Sequence, residues 1–319
     1  NVGIPSDALG DANSFVDFTL SLDEDTSITT EIQMPIEVLR TRGLSVTGPS
    51  GLATSEGYGR IQGVANAWMV VENLGNAQES TTSIDWTAPS WGGSPTLHDS
   101  DGNEIFALTL DPKEDVELFA HLDVPTSVNR GSTTSTTLTL CIGSGSETLC
   151  QNLDIHFTAV DSVVTPIHTR SLPNASLSWD ITANLPQSGV LQWNMVDAQM
   201  IQTNWQWSAS GDLMMNGSNL ELTGNSNGVG TGTLSLQLPT NAVPYRHVFS
   251  TNDVNENHSN LTLSLQVLQI YRSQATILEP LPEIEGESVS MNVTEPQNIR
   301  LRLENPGNGE DEFLLSAQA

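Results

Sequence analysis

Apolar residues recur at every second position through much of the chain: Val16, Phe18, Leu20 and Leu22; Val116, Leu118, Ala120, Leu122 and Val124; Leu234, Leu236 and Leu238; Ile299, Leu301 and Leu303. A period of two turns one side chain to a core and the next to water, so each run predicts a half-buried antiparallel strand. No window of about eleven residues carries apolar spacings of three and four with good helix formers, which limits helices to single turns. Gly, Asn, Asp and Pro separate the runs. Roughly seven short strands in every ~115 residues predict a two-sheet sandwich. The expected fold class is all-β, as tandem immunoglobulin-like antiparallel β-sandwiches.

The tandem reading rests on a segment written twice, NAWMVVENLGN at 66–76 and NIRLRLENPGN at 298–308. The step from 66 to 298 is 232 residues, about two sandwiches of roughly 100 residues each, which predicts a copy between them. Apolar-Pro pairs closing a strand at Ile4-Pro5, Val124-Pro125 and Leu238-Pro239 follow at steps of 120 and 114. Asp101-Gly102 answers to Asn216-Gly217, and Trp86 to Trp207. The predicted organisation is a C-terminal part of a module over 1–41, a complete sandwich over 42–160, a second and divergent one over 161–272, and the N-terminal part of a further module over 273–319. In the ENPGN turn, Pro306 presets φ, and Gly307 is expected to take the positive φ of a type II turn. The chain reads as a slice of a longer array, with neither a leader pattern nor an 18-residue apolar run.

Charge narrows the partners. Ten basic residues stand against 38 acidic ones, for a net charge of −28, and Lys113 is the single lysine. The groups that neutralise phosphates are missing, so nucleic-acid partners are excluded, and anionic lipid headgroups are repelled. His98, His121, His156, His168, His247 and His258 are scattered without ligand spacing, and no nucleophile elbow or phosphate loop occurs. No catalytic residues are predicted, and the chain is read as a non-enzyme.

The two cysteines point to a compartment. Cys141 and Cys150 lie in LTLCIGSGSETLCQNL, where a two-residue Gly145-Ser146 turn would set 142 opposite 149 and Cys141 opposite Cys150. Directly opposed residues of this kind are within disulfide range, and the alternation leaves both on the outer face. A cross-strand disulfide is predicted, and with it an oxidising, extracellular or cell-surface location.

Other candidates carry two readings each. Asp99, Asp101, Asn103 and Glu104 alternate oxygen donors around Gly102, as half of a calcium loop would, while Asp-Gly alone explains a hairpin turn. Trp205 and Trp207 share one strand face and suit a core, or a sugar-stacking platform. Trp68, in outward register with Val70, and Trp91, in a loop, are the ligand-binding candidates. Asn174, Asn216, Asn257, Asn260 and Asn292 head N-x-[ST] sequons, permitting glycans on a secreted chain.

A strand ending in VENLGN or LENPGN, a following strand with Trp86, then LTLDPKEDVELFAHLDVP and TLTLCIG resemble the tandem immunoglobulin-like modules of secreted and cell-surface prokaryotic proteins. The nearest types are CARDB-like domains and the sandwich domain appended to some α-galactosidases. The resemblance covers 43–160. Residues 161–272 lack the Asn-Gly-Asn turn and carry Trp179, Trp193 and Trp205 instead. The resemblance implies a spacer or accessory sandwich with no catalytic residues. The expected function is a non-enzymatic extracellular structural or adhesive repeat region, binding other surface proteins, copies of itself or glycans. No cofactor is expected beyond possible calcium, and no membrane insertion by this segment. The alternatives are carbohydrate-binding or spacer modules of a secreted hydrolase, and a strand-exchanging subunit of an extracellular filament or surface layer.

Overall fold

The period-two runs fall on strands: among the described residues β-structure covers all of them but the closing Val124 and Leu238, and Ile299 lies outside those residues. The computed structural model describes residues 8–22, 25–185, 189–194, 205–216, 219–250, 252–253, 258–279, 300–310 and 313. Among them there is no α-helix, and the only helical piece is a 3-10 turn at Gly145–Glu147. The chain divides into two compact units, residues 1–163 with 255–259, and residues 164–254 with 260–319.

The first unit opens with a hairpin of β1 (Asn13–Leu22) and β2 (Asp25–Glu37). There follow β3 (Leu44–Thr47), β4 (Thr54–Arg60), β5 (Val64–Asn73), β6 (Glu79–Trp86), β7 (Thr96–His98), β8 (Thr109–Leu110), β9 (Asp115–Asp123), β10 (Thr133–Ile142) and β11 (Leu149–Val160). One layer runs β3-β5-β9-β7 and the other β11-β10-β6-β8. Strand β4 belongs to both, parallel to β11 and briefly antiparallel to β5. That double pairing demands glycine: a Cβ on Gly57 would meet the Phe157 ring at 2.6 Å, and one on Gly59 the Ala65 main chain at 2.5 Å. Alternate residues of each layer face inward. Ala65, Ala67, Met69 and Val71 meet Leu118, Ala120 and Leu122 beside them, and Leu138, Leu140, Leu153, Ile155 and Phe157 across the gap.

The second unit repeats this connectivity. Its strands are β12 (Ile167–Ser171), β13 (Ser176–Asn184), β14 (Val190–Asn194), β15 (Gln206–Gly211), β16 (Leu213–Asn216), β17 (Asn219–Thr223), β18 (Val229–Gln237), β19 (Arg246–Ser250), β20 (Asn252–Asp253), β21 (Thr262–Val267), β22 (Gln274–Glu279) and β23 (Arg300–Glu304). Strand β12 is parallel to β21 as β4 is to β11, and β13-β18-β15 repeats β5-β9-β7. Strand β14, between β17 and β20, takes the place of β6 between β8 and β10. The core is Ile181, Leu191, Trp193, Leu220, Leu222, Leu234, Leu236, Leu263 and Leu265, closed by Trp205.

This order corrects one expected correspondence. Trp86 lies on β6, whose equivalent is β14 with Trp193, whereas Trp207 lies on β15, the equivalent of β7. Five residues separate β13 from β14, as they do β5 from β6, but eleven separate β14 from β15 where nine separate β6 from β7, so one constant offset does not hold strand for strand.

The cysteine register is as expected and the turn is not. Cys141 pairs with Cys150 and Ile142 with Leu149, the Cα atoms of the cysteines lie 4.1 Å apart, and the disulfide is formed. The connection is six residues, Gly143 to Thr148, with Gly143 and Gly145 at positive φ and a 3-10 turn in place of a two-residue turn. A symmetric longer loop preserves the same facing pairs, which is why the register survives. Both cysteines lie on the outer face, Cys150 exposed and Cys141 only 8% exposed beside Ser83 of β6.

Candidate functional site

The segment written twice in the sequence makes the same contact twice in the structure. At the end of β5, the buried Asn73 folds its side chain over the turn: Oδ1 accepts from Gly75 N at 2.9 Å and Nδ2 donates to Ala77 O at 2.8 Å. At the end of β23, Asn305 accepts from Gly307 N at 2.8 Å and donates to Gly309 O at 2.7 Å. Short polar side chains that bond their own following backbone are the usual makers of such turns.

The last asparagine of each turn reaches outward. Asn76 Oδ1 accepts from Thr41 N at 2.7 Å and Nδ2 donates to Leu39 O at 3.0 Å, on the segment running from β2 into β3. Asn308 does the same on the segment from β21 into β22, accepting from Ile270 N at 2.6 Å and donating to Leu268 O at 3.0 Å. The glycines serve this contact. Neither Gly75 nor Gly307 is in the left-handed region, so the expected type II φ at Gly307 is corrected. What they need is space, since a Cβ would meet Thr41 O at 2.5 Å in one case and Ile270 O at 2.2 Å in the other.

A third segment joins each contact. Gly10 N donates to Asn76 O at 2.6 Å, and Asn308 Nδ2 donates to Ala242 O at 3.0 Å. The first site also holds an ionic network: Arg40 and Arg42 flank Glu79, Arg40 reaches Asp11, and Arg42 reaches Glu147. The Glu147 hydrogen bond is the largest cause of the raised Arg42 pKa.

The other candidates land apart from this site. Asp99 spends its carboxylate on its own turn, Oδ1 accepting from Asp101 N at 2.9 Å and Asn103 N at 2.8 Å, and Oδ2 from Asn103 Nδ2 at 3.0 Å. Its pKa is lowered, first by the Asn103 side chain. Gly102 has φ 84°, the hairpin role weighed against calcium. Among the described residues no three His, Cys, Asp or Glu are grouped to hold a metal, and Asp99, Asp101 and Glu104 do not converge. Trp68 is 2% exposed and offers no ring face to solvent, while Trp91 is half-buried against the core. Trp205 is buried, and Trp207 packs against the same core with its ring 6.3 Å from that of Trp179. Asn174 and Asn216 are exposed and Asn260 is half-buried; Asn257 and Asn292 lie outside the described residues.

One pairing escaped the sequence. The rings of His98 and His121 stack at 3.9 Å, 18° from parallel. They come together because β7 lies beside β9 with Thr96 opposite His121. His98 bonds Thr96 Oγ1 at 2.8 Å and Gly102 O at 3.1 Å. Burial, then the charge of His98, lowers the His121 pKa.

No protein-family model matches the chain, and no curated protein matches it. Among solved structures, a family 123 glycoside hydrolase from Clostridium perfringens matches at 7% identity over 41% of this chain, with TM-score 0.28. The match spans only 31% of that hydrolase. The major pilin subunit of Bacillus cereus matches at 10% identity, over 75% of this chain and 66% of the pilin, with TM-score 0.23. The E. coli chaperone DraB matches at 6% identity, over 71% and 97%, with TM-score 0.27. These are likenesses of strand arrangement within sandwich-type folds and reach no further.

Proposed function

We propose that the chain is a non-enzymatic, extracellular structural repeat region, with modules at 1–41, 42–160, 161–272 and 273–319 joined in series. The observation that carries this is the twofold occurrence of one joint, in which a turn of the following module holds the segment that leads into it. Repetition of that kind makes stability a sum over modules and their nearest-neighbour contacts, and lets length change without a new fold. The Cys141–Cys150 disulfide supports an oxidising location. The net charge of −28 supports an exposed, soluble surface. Among the described residues no helix is long and apolar enough to cross a membrane. Antibodies against the chain are expected to label intact, unpermeabilised cells of the producing organism, and labelling confined to lysed cells overturns the reading.

A specific observation favours assembly with copies of itself as a second reading. The β1–β2 hairpin is a two-stranded sheet among the described residues, and it leaves Phe18, Ile32 and Met34 exposed on one face. Its equivalent, β10–β11, is flanked by β6 and β4. Neighbouring strands would cover that apolar face, in line with strand exchange in a filament or surface layer. Sedimentation equilibrium separates the readings: mass rising with concentration supports assembly, and a concentration-independent monomer rules it out.

A further inference from the structure

We infer that Asn76 and Asn308 are main-chain receptors: each asparagine bonds the backbone of the segment entering its module, at one N–H and one C=O, and so fixes the joint. The inference rests on the serial-module reading above and specifies how one module takes hold of the chain from the last.

The geometry is that of a strand residue. A carboxamide that accepts from the N–H of one residue and donates to the C=O two residues earlier makes the two bonds that a neighbour in a parallel ladder would make. Arg40 and Gln269 occupy the middle of the two recognised tripeptides, and each side chain donates to the carbonyl two residues beyond the asparagine, Arg40 Nη2 to Gln78 O at 2.6 Å and Gln269 Nε2 to Glu310 O at 2.7 Å. The tripeptides share only their first residue, Leu39-Arg40-Thr41 against Leu268-Gln269-Ile270. The partners also fix the amide's orientation, because a main-chain N–H only donates and a C=O only accepts.

Asparagine is the side chain that fits. Aspartate would set an oxygen against the Leu39 or Leu268 carbonyl, alanine would leave both main-chain groups unmet, and glutamine is a methylene too long. The glycine before it completes the receptor, since Gly75 and Gly307 let the Thr41 and Ile270 carbonyls approach. The asparagine itself reads only backbone, and the side chain drawn into each joint is the long donor at the middle position, Arg40 or Gln269, so the flanking residues can diverge while the joint stays the same.

The test uses the full chain, hydrogen–deuterium exchange at residues 41 and 270, and limited trypsin digestion at Arg40, Arg42 and Arg272. In Asn308→Ala and Asn308→Asp, exchange at Ile270 and cleavage after Arg272 are expected to rise about tenfold, the loss of one to two hydrogen bonds. Asn76→Ala should do the same at Thr41 and Arg42. Gly307→Ala, which keeps the amide but crowds Ile270 O, should match Asn308→Ala. Ile270→Thr, which installs the residue of the other joint, should stay within about threefold of the parent. Unchanged exchange in the β10–β11 and β12–β21 ladders certifies folding, and the two joints serve as replicates should one variant misfold. The inference is overturned if Asn308→Ala and Asn76→Ala exchange like the parent, or if Ile270→Thr loses as much protection as Asn308→Ala. Surface labelling bears on the array reading alone, so the two can fail separately.

Discussion

Glu79 is 3% exposed and lies against Arg40, whose Nη2 is 3.0 Å from the Glu79 Oε1. Arg42 approaches the same carboxylate from Nε at 3.2 Å. A buried carboxylate is tolerable only while its countercharges stay in place. The two guanidiniums are at the rim of the site and can return to water, whereas Glu79 cannot. Removing both arginines, Arg40→Ala with Arg42→Ala, is therefore expected to destabilise the first unit. Glu79→Ala should cost less, and chemical denaturation of both variants checks the order.

The stacked His98 and His121 predict loss of stability on acidification. Burial lowers the His121 pKa first, and His98 adds to it, so the unfolded chain binds a proton that the folded one resists. The resulting stability is present above the unfolded value of about 6.5 and is lost as pH falls from there through the lower, folded-state value. His247 acts in the same sense, its pKa lowered by burial and only partly restored by Val243 O. Melting midpoints from pH 8 to 5, compared between the parent and His121→Asn, should show a shallower acid limb in the variant. Parallel curves would rule out His121 as a source.

Phe157 fills the space between the two layers of the first unit and leaves no room for a side chain at Gly57. Phe157→Ala is expected to cost about 3–5 kcal/mol. Gly57→Ala should cost about 1–3 kcal/mol, because its Cβ lands on both Phe157 and Ala67. A double variant that costs less than the sum would show that the ring and the glycine share one volume.

The disulfide closes a loop with a sequence separation of 9. Short loops gain less than long ones, so Cys141→Ala with Cys150→Ala is expected to lower stability by about 2–3 kcal/mol without changing the strand register. Thiol titration of the denatured, unreduced parent should find none, and two thiols per chain would contradict the bond.

The sequence settled what depends on neighbours along the chain. A period of two assigned Leu118, Leu122, Leu234 and Leu236 to the inner face, and two strands joined by a short symmetric connection put Cys141 opposite Cys150 whatever the turn between them. The repeated ENxGN segment announced a repeated structure before any strand was placed. Tertiary structure decided what depends on segments far apart. The glycines of that turn answer to carbonyls more than thirty residues earlier, at Thr41 and Ile270. Trp68 reads as outward and is nonetheless buried, and His121 meets a partner on another strand. Alternation fixes which way a side chain points, but whether anything lies above it, and how close the next backbone comes, is set by packing between elements that no local pattern encodes.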